Sequence, residues 1–358
     1  MQGKLYQEAE QYIKDIFWNE THDKNSTLNL PEIINARLIK DNEEKDPDYY
    51  QHREAVVHVS SLSKCLRGVV YEMLGAKKDG EIDPRKLGVF KAGNLFEDFI
   101  VDALGDKMLN RQTEYVYKYK GLILTGRDDG TIEYGNNHYV LEAKSVHSDS
   151  FWYRQQEGTL IASHNQMQLQ TYLWLRRVCN NVFVWSEDDI FEYSTDKKPV
   201  VKIAYTNLSK QEFADQMELD IDVLDEVSDV DESNLNGIFS YISKDDCTVI
   251  SAPVKFNQNI IDNTVIPALD IIAEAYAAKD PKLAPVPELA TYSETKNQWQ
   301  KNWLCTYCEY HCSCAGNGWV LEASNLVSQK NRDNKVNLHM YAHTAKKVAP
   351  TITVEPAN

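Results

Sequence analysis

One stretch, residues 121–145, restricts the fold of this chain more than any other. It reads GLILTGRDDGTIEYGNNHYVLEAKS, so that apolar runs alternate with Gly and Asn turn residues. Such runs are typical of strands that are joined by tight turns. We therefore predict a β-hairpin, which is broken at Gly126 by a polar kink at residues 127–130 and which turns at residues 135–137.

Acidic residues and a lysine gather at one end of this hairpin. Glu142 and Lys144 are two positions apart at the end of the returning strand, so their side chains share a face. Asp128 and Asp129 lie on the kink of the neighbouring strand. Such a group is unfavourable as packing, but carboxylate oxygens bind Mg²⁺ or Mn²⁺, and an ammonium group can hold a water beside the ion. The pattern predicts a site for a divalent cation.

Helices are predicted on both sides of the hairpin. Residues 87–104 repeat apolar side chains at helical spacing and carry Glu97, which is either a solvated residue or a further member of the site. Residues 164–178 form the second helix, in which Gln168 and Tyr172 are four apart and share a face. Strand patterns follow at residues 181–185, 190–193 and 200–205. This order predicts an α/β fold with a central mixed sheet flanked by helices.

The remaining chain shows further helical patterns at residues 1–20, 31–38, 58–75, 207–232 and 259–278, the last interrupted at Pro267. We expect an N-terminal helical extension at 1–57, a core at 58–205, a helical segment at 206–300, a cysteine segment at 301–320 and a tail at 321–358. No run approaches the length of a membrane span, and the first residues lack a signal-peptide pattern. We therefore expect a cytoplasmic, intracellular protein with no membrane partner.

The chain of 358 residues carries a formal net charge of −16. This charge argues against a general nucleic-acid coat protein, but it permits a nuclease that uses a local basic groove. Aromatic and basic residues that could contact nucleic acid are Trp152, Tyr153, Arg154, Arg176 and Arg177. The aromatic residues could instead belong to the core. Stacking on Trp152 or Tyr153 would suit single-stranded ends.

Four short motifs together resemble the RecB-type branch of the PD-(D/E)XK nuclease superfamily. In chain order they are GNLFE at 93–97, GRDDG at 126–130, EAK at 142–144 and QLQTY at 168–172. The resemblance covers about residues 58–205 and implies a restriction-endonuclease-like core. Many members have a histidine where this chain has Glu97. The spacing from Gly126 favours Asp129 over Asp128 as the metal-binding aspartate of the motif.

The resemblance also implies which atoms would bind the ion. Asp129, Glu142 and the backbone carbonyl of Ala143 would hold Mg²⁺ or Mn²⁺. Glu97 would complete the shell of this ion or hold a second one. These are hard oxygen ligands, which both ions prefer. Phosphodiester hydrolysis needs such an ion because charge develops on the phosphate and a water must become a nucleophile.

Three further residues would act on water and substrate if the resemblance holds. Lys144 would orient and acidify the attacking water, and Gln168 and Tyr172 would position water or the substrate phosphate. The expected function is a metal-dependent DNA exonuclease that acts on single-stranded DNA or DNA ends, similar to the CRISPR-associated RecB-like exonucleases and viral relatives. The alternatives are an endonuclease or trimming subunit and a non-catalytic DNA-end-binding scaffold. A helicase, a recombination protein or another DNA-processing protein would be a fitting partner.

A group of cysteines near the C-terminus predicts a second metal centre. Cys305, Cys308, Cys312 and Cys314 could together bind Zn²⁺. The iron–sulfur members of the family share the C-x₂-C-x₅-C spacing of Cys305, Cys308 and Cys314 and take a fourth ligand from a helix far upstream, where this chain has Cys65. The resemblance thus implies a 4Fe–4S cluster that staples a helical jacket to the core and closes a loop of about 240 residues. Zinc would leave Cys65 unused, and the cluster would leave Cys312 unused.

Overall fold

The computed structural model describes residue 11 and residues 29–43, 55–78, 84–135, 137–148, 162–187, 200–228, 235–286, 290–293, 298–301, 303–306, 308–310 and 313–314. It divides into two compact units, residues 1–45 with 82–88 and residues 46–81 with 89–358. The five segments expected from the sequence stay a prediction. Expectations that lie outside the described residues concern residues 1–20 apart from residue 11, residues 152–154, residues 190–193, Cys312 and the tail from 321.

The first unit contains helix α1, Leu30–Glu43. Asn29 and Glu32 cap its N-terminus, since the Asn29 Oδ1 accepts from the Glu32 N–H at 3.3 Å and the Asn29 amide donates to the Glu32 carboxylate at 3.0 Å. The predicted helix ended at Leu38, whereas α1 continues to Glu43. An ion pair between Arg37 and Asp41 spans the added turn.

The second unit mixes helices and strands. The further helices of the chain are α2 (Leu66–Met73), α3 (Pro84–Leu104), α4 (Ser163–Val178), α5 (Lys210–Met217), α6 (Ile266–Ala277) and the short α7 (Trp303–Thr306). Residues 84–88 of α3 belong to the first unit and the rest of α3 to the second. The strands are β1 (Val56–His58), β2 (Met108–Asn110), β3 (Glu114–Tyr119), β4 (Leu122–Arg127), β5 (Gly130–Tyr134), β6 (Asn137–Val146), β7 (Asn181–Glu187), β8 (Val200–Thr206), β9 (Asp225–Glu226), β10 (Leu235–Ser243), β11 (Val249–Val254), β12 (Ala290–Ser293) and β13 (Gln298–Lys301). The α/β class predicted from the sequence is confirmed.

The strands form two mixed sheets and a separate pair. The first sheet has the order β1-β4-β3-β8-β7-β9, and the second has the order β11-β10-β6-β5-β2. β12 and β13 form the pair. In the second sheet β6 is antiparallel to β5 and parallel to β10. The expectation of one central sheet was therefore wrong, and two mixed sheets take its place.

The chain crosses from the first sheet to the second at Asp128 and Asp129. The Asp128 N–H donates to the carbonyl of Thr113, beside β3, at 3.2 Å. The Asp129 N–H donates to the carbonyl of Leu141, in β6, at 3.3 Å. The predicted hairpin is confirmed as β5 and β6, but its first apolar run is β4 and belongs to the other sheet. Consecutive aspartates therefore lie at the junction of two sheets.

Gly126 does not break β4, as the sequence had suggested, but lies within it. A Cβ at this position would come within 2.9 Å of the Tyr172 ring and 2.8 Å of Val59, so only glycine lets α4 pack this closely. The EAK motif is likewise inside a strand and not at its end. β6 continues to Val146 because β10 pairs with its residues 138–146, with Phe239 opposite Glu142 and Tyr241 opposite Lys144.

Two predicted helices are shorter in the structure than expected. The helix expected over 58–75 begins only at Leu66, with Cys65 at its N-cap, because His58 ends strand β1 and Val59–Ser61 form a 3₁₀ turn. The helix expected over 207–232 ends at Met217, since Glu218 adopts a left-handed conformation with φ of 55°. Strands β10 and β11 occupy much of the segment that was expected to be helical.

The helix expected over 259–278 is present with an irregular start. Its first turn, Gln258–Ile260, leads into a π-helical segment, Ile261–Val265, and then into α6. The regular α-helix is interrupted beside Pro267, as predicted, because the π-helical segment ends at Val265 and proline brings no N–H to the helical hydrogen bonds. The chain nevertheless stays helical through this point. No helix among the described residues is both long and apolar enough to cross a membrane.

Helix α4 is the central element of the core. Leu169, Leu173 and Leu175 are fully buried. Gly237 of β10 allows the close approach of α4, since a Cβ there would lie 2.8 Å from the Leu169 side chain. Because α4 is held so firmly, its polar residues have fixed positions over the crossover between the sheets.

Candidate active site

Asp128 and Asp129 bind different partners although they are adjacent. Asp128 is fully buried, and one of its oxygens accepts from the Thr113 N–H at 2.9 Å. The other accepts from the Tyr115 hydroxyl at 2.6 Å and lies 3.4 Å from Arg176 Nη2. Both oxygens of Asp128 are thus engaged by the protein. This places Asp128 in a buried hydrogen-bonded network with Thr113, Tyr115 and Arg176.

Asp129 faces the strand that carries the EAK motif. Its Oδ2 accepts from the Ala143 N–H at 2.6 Å. Ala143 lies between Glu142 and Lys144, so this hydrogen bond brings the Asp129 carboxylate next to both charged side chains. The predicted preference for Asp129 over Asp128 at the metal agrees with this placement, and the metal itself stays a prediction.

Glu142 is a buried carboxylate with one partner. It is fully buried and forms an ion pair with Lys144, whose side chain is 30% exposed. Among the described residues, no hydrogen bond donor reaches either oxygen of Glu142 apart from this ammonium group. Burying a carboxylate with so few donors is unfavourable unless another positive group arrives. Glu142 and Lys144 share a face of β6, as their spacing predicted.

Burial and mutual repulsion shift the pKa values of the acidic side chains at this site. Burial raises the pKa of Asp129 well above its usual value, and the charges of Glu142 and Glu97 raise it further. Burial also raises the pKa of Glu142, although Lys144 opposes the shift. For Lys144 burial acts against the charged form, but the carboxylates of Glu142 and Asp129 outweigh it and raise its pKa. Lys144 is therefore an ammonium at neutral pH, which makes it a donor and not a base.

The raised carboxyl pKa values predict how stability depends on pH. A carboxyl whose pKa is higher in the folded state stabilises folding below the ordinary carboxyl pKa of about 4, and this stabilisation is lost as pH rises through the raised value. We therefore expect the Tm of the metal-free chain to fall as pH rises above the ordinary carboxyl pKa of about 4. Thermal unfolding of the wild type and an Asp129→Asn/Glu142→Gln double variant tests this. Equal slopes of Tm against pH would contradict it.

One face of α4 contacts the crossover between the two sheets. Gln168, Tyr172 and Arg176 are spaced by four residues and so share this face. The Tyr172 hydroxyl donates to the Arg127 carbonyl at 2.8 Å, and the Gln168 amide lies 3.4 Å from that hydroxyl. Burial, with nearby Glu142, raises the pKa of Tyr172 well above its usual value, so its hydroxyl stays protonated. Tyr172 therefore acts on the backbone of the crossover.

Arg176 was expected to be able to contact nucleic acid, and this expectation is wrong, because the structure buries its side chain in the core. Its side chain is 5% exposed. Its guanidinium donates to the Tyr115 hydroxyl at 2.8 Å and to the Thr113 hydroxyl at 3.0 Å, besides the pair with Asp128. Its neighbour Arg177 lies over the Phe256 ring at 4.5 Å. Because Arg176 is buried and bound to these partners, it has no role on a DNA-binding surface.

A cleft of about 200 Å³ opens beside Asp129. Residues that line it include His58, Ser60, Glu97, Gln112, Asp129 and Gln168. Glu142 and Lys144 do not line the cleft but adjoin it through the hydrogen bond between Ala143 and Asp129. The structure thus brings the residues of all four sequence motifs to one place.

Some members of the site had no signal in the sequence. His58 and Ser60 line the cleft from β1 and the turn after it, and Gln112 lines it from the loop before β3. None belongs to the motifs that predicted the site. Gln112 also holds Glu97, by donating to its Oε1 at 3.2 Å. Only the three-dimensional contact reveals such a residue, because the contact joins a helix to a loop.

The acidic residues beside the cleft meet some of the requirements of a divalent cation site. No three His, Cys, Asp or Glu side chains among the described residues are grouped closely enough to hold a metal ion as they stand. Asp129 and Glu142 nevertheless offer two neighbouring carboxylates, and Glu97 is close enough to raise the pKa of both. The buried Glu142 oxygens have unused acceptor capacity, which a hard cation would satisfy.

The cysteine segment lies against α2. A Cβ on Gly68 would be 3.7 Å from Cys308 Sγ and 3.9 Å from Cys65 Cβ, so the two cysteines flank the same glycine. Tyr71 stacks on Tyr310, with ring centroids 6.0 Å apart. The structure thus brings Cys65 beside Cys308, 243 positions later in the chain.

Further contacts hold this segment to α2. The Tyr71 hydroxyl donates to the Ser313 carbonyl at 3.1 Å, and Lys78 pairs with Glu309 at 2.8 Å. Burial raises the pKa of Tyr71, and nearby Cys314 adds to the shift. Three of the four predicted cluster cysteines, Cys65, Cys308 and Cys314, therefore lie around one helix, and Cys305 is buried in the adjoining α7.

A scan against protein-family models gave no match, and a search of curated proteins gave none either. Among solved structures, the chain is similar to the crystal structure of SSO0001, with a TM-score of 0.37 and 17% identity over 78% of this chain and 93% of that one. It is also similar to the alkaline exonuclease LHK-Exo from Laribacter hongkongensis, with a TM-score of 0.33 and 10% identity over 65% of this chain and 91% of that one. Neither likeness is strong enough to show a family.

Proposed function

We propose that this chain is a divalent-metal-dependent deoxyribonuclease. One observation carries the proposal: Asp129 and the buried Glu142 adjoin across a single backbone hydrogen bond, with Lys144 beside them. Perturbed carboxyl pKa values next to a cleft are typical of functional sites. An acid pair and a lysine suit phosphodiester hydrolysis better than they suit packing, because packing would favour neutral groups.

The ion would be held by Asp129, Glu142 and the carbonyl of Ala143, with Glu97 at the edge of the site. A bound Mg²⁺ or Mn²⁺ supplies a Lewis acid for the phosphate and lowers the pKa of a water. The Ala143 N–H keeps the Asp129 carboxylate in place, so the two metal-binding carboxylates remain neighbours before any ion arrives. Protons compete with the ion for both acids, so affinity for the ion should rise with pH.

The other residues have roles that follow from their contacts. Lys144 is charged, and it would hold a water or stabilise charge on the phosphate. Gln168 lines the cleft with an amide that can donate to a phosphate oxygen. Tyr172 uses its hydroxyl on the Arg127 carbonyl, so it positions the crossover and does not bind substrate.

We propose exonuclease action on single-stranded DNA or DNA ends. The test compares linear and circular single-stranded DNA with Mg²⁺, with Mn²⁺ and with a chelator. Cleavage of the linear form alone, abolished by the chelator, is the expected result. Cleavage of the circle would show an endonuclease, and no cleavage of either form would favour a non-catalytic DNA-end-binding protein.

We also propose that Cys65, Cys305, Cys308 and Cys314 bind a 4Fe–4S cluster. The cluster would tie α2 to the cysteine segment and make folding depend on iron. We expect anaerobically purified protein to contain about four iron atoms per chain, and the Cys65→Ser variant to lose them. Cys247→Ser is the control, since Cys247 is exposed and lies on the turn between β10 and β11. One zinc per chain, retained by Cys65→Ser, would instead support a local site that includes Cys312.

A further inference from the structure

Gln112 has a backbone conformation that its side chain makes unfavourable. Its φ is 57°, in the left-handed region where Gly, Asn and Asp are common and a residue with a long side chain is not. It lies in the three-residue loop between β2 and β3. Residues in such conformations cluster at functional sites, where the surrounding structure holds them. Glycine would adopt this conformation without strain, so the presence of glutamine suggests that its side chain has a function.

Both neighbours of Gln112 are fixed by contacts with charged groups. Arg111 forms an ion pair with Asp98 of α3. The Thr113 N–H donates to Asp128 at 2.9 Å, and the Thr113 hydroxyl accepts from the Asn110 amide at 2.6 Å. The loop is therefore anchored to α3 on one side and to the sheet crossover on the other. Gln112 lies between these anchors, which define where its side chain can reach.

The Gln112 side chain reaches Glu97. Its amide donates to the Glu97 Oε1 at 3.2 Å, and both residues line the cleft beside Asp129. An amide suits this task, because it fixes one oxygen of the carboxylate without adding a charge. A lysine or arginine here would form an ion pair with Glu97 and compete with a cation for it.

We propose that Gln112 is a positioning residue that holds the Glu97 carboxylate toward the cleft for the divalent cation. This inference rests on the proposed function, since Glu97 needs an orientation only if it serves an ion. Gln112 binds Glu97 through one oxygen and leaves the other for the ion or its water. The left-handed conformation is the means by which the loop directs this amide at α3.

Mn²⁺ binding to the full chain tests the inference. Two variants, Gln112→Asn and Gln112→Gly, both tolerate the left-handed backbone but cannot reach Glu97. We expect each to bind Mn²⁺ about tenfold more weakly, as is typical when the partner of a metal ligand is removed. Free Mn²⁺ is followed by electron paramagnetic resonance. The Tm should stay the same or rise in Gln112→Gly, whereas a merely structural role would lower it.

Two comparisons sharpen the test. In a Glu97→Gln background, the Gln112→Asn substitution should have no further effect on Mn²⁺ binding, because its action passes through Glu97. Cys247→Gly is the control for the backbone, since Cys247 has a φ of 56° and is exposed far along the chain on the turn after β10. It should bind Mn²⁺ as the wild type does.

DNA cleavage separates positioning from substrate contact. The Mn²⁺ concentration for half-maximal cleavage should rise about tenfold in both Gln112 variants, with an unchanged KM for DNA at saturating Mn²⁺. Unchanged Mn²⁺ affinity in both variants, or a raised KM alone, would overturn the inference and leave the proposed function standing. A wild-type chain that binds no Mn²⁺ would overturn both.

Discussion

Glu142→Gln is expected to abolish DNA cleavage while the fold survives. The substitution keeps the shape of the side chain but removes the charge that would hold the cation. Loss of an essential metal-binding or catalytic group lowers kcat by about a thousandfold or more. The measurement is the cleavage rate of linear single-stranded DNA at saturating Mg²⁺, because a weakened but working site would recover there.

The same variant should be at least as stable as the wild type in the absence of metal. The Glu142 carboxylate is fully buried and receives no hydrogen bond donor among the described residues other than Lys144. A neutral amide is cheaper to bury, and the released Lys144 is 30% exposed and can turn to water. Glu133→Gln is the matched control, since Glu133 is an exposed acid on β5 of the same hairpin. Cleavage within about tenfold of the wild type would refute the role of Glu142.

Replacing Asp128 and replacing Asp129 should have opposite effects on stability and on DNA cleavage. Asp128→Ala should lower the free energy of unfolding by about 3–5 kcal/mol, because it breaks the buried ion pair between Asp128 and Arg176. Asp129→Ala should not lower stability, since the raised pKa of Asp129 means that its charge is unfavourable in the metal-free fold. In cleavage the order reverses, and Asp129→Ala should be inactive. Denaturant unfolding and the cleavage assay measure the two quantities.

A double variant checks the cause of the Asp128 effect. Asp128→Ala combined with Arg176→Met removes both charges and should be more stable than Asp128→Ala alone. Tyr115 and Thr113 would still lose their partner, so the double variant should not regain wild-type stability. If both single aspartate variants lost the same stability, or if Asp128→Ala alone abolished cleavage, the two aspartates would not have the separate roles that their contacts indicate.

Local patterns in the sequence predicted the elements that pair or pack with close neighbours. The hairpin of β5 and β6 follows from a glycine and asparagine turn between alternating strands, and helices α3 and α4 follow from their apolar periodicity. The shared face of Glu142 and Lys144 needs only the period of a strand. These predictions succeeded because each depends on residues within about one element of chain.

Features that depend on distant contacts could not be predicted in this way. β10 pairs with β6 although almost 100 residues separate them, and this pairing extends β6 beyond the EAK motif. Asp128 and Asp129 make different contacts because Asp128 pairs with Arg176, which lies 48 residues after Asp128 in the chain. Gly126 reads as a strand breaker until Tyr172 is found packed against it. The left-handed conformation of Gln112 has no sequence signal at all.

The claim that Asp129 and Glu142 together hold a divalent cation is tested most directly by diffraction from crystals soaked in Mn²⁺. Anomalous scattering locates this ion without reference to activity. The proposed function predicts an Mn²⁺ ion that contacts a carboxylate oxygen of Asp129 and one of Glu142, with Lys144 moved off Glu142. Two results would contradict the metal site and the nuclease activity that depends on it. One is an ion bound elsewhere, and the other is the absence of Mn²⁺ from Asp129 and Glu142 at a saturating concentration.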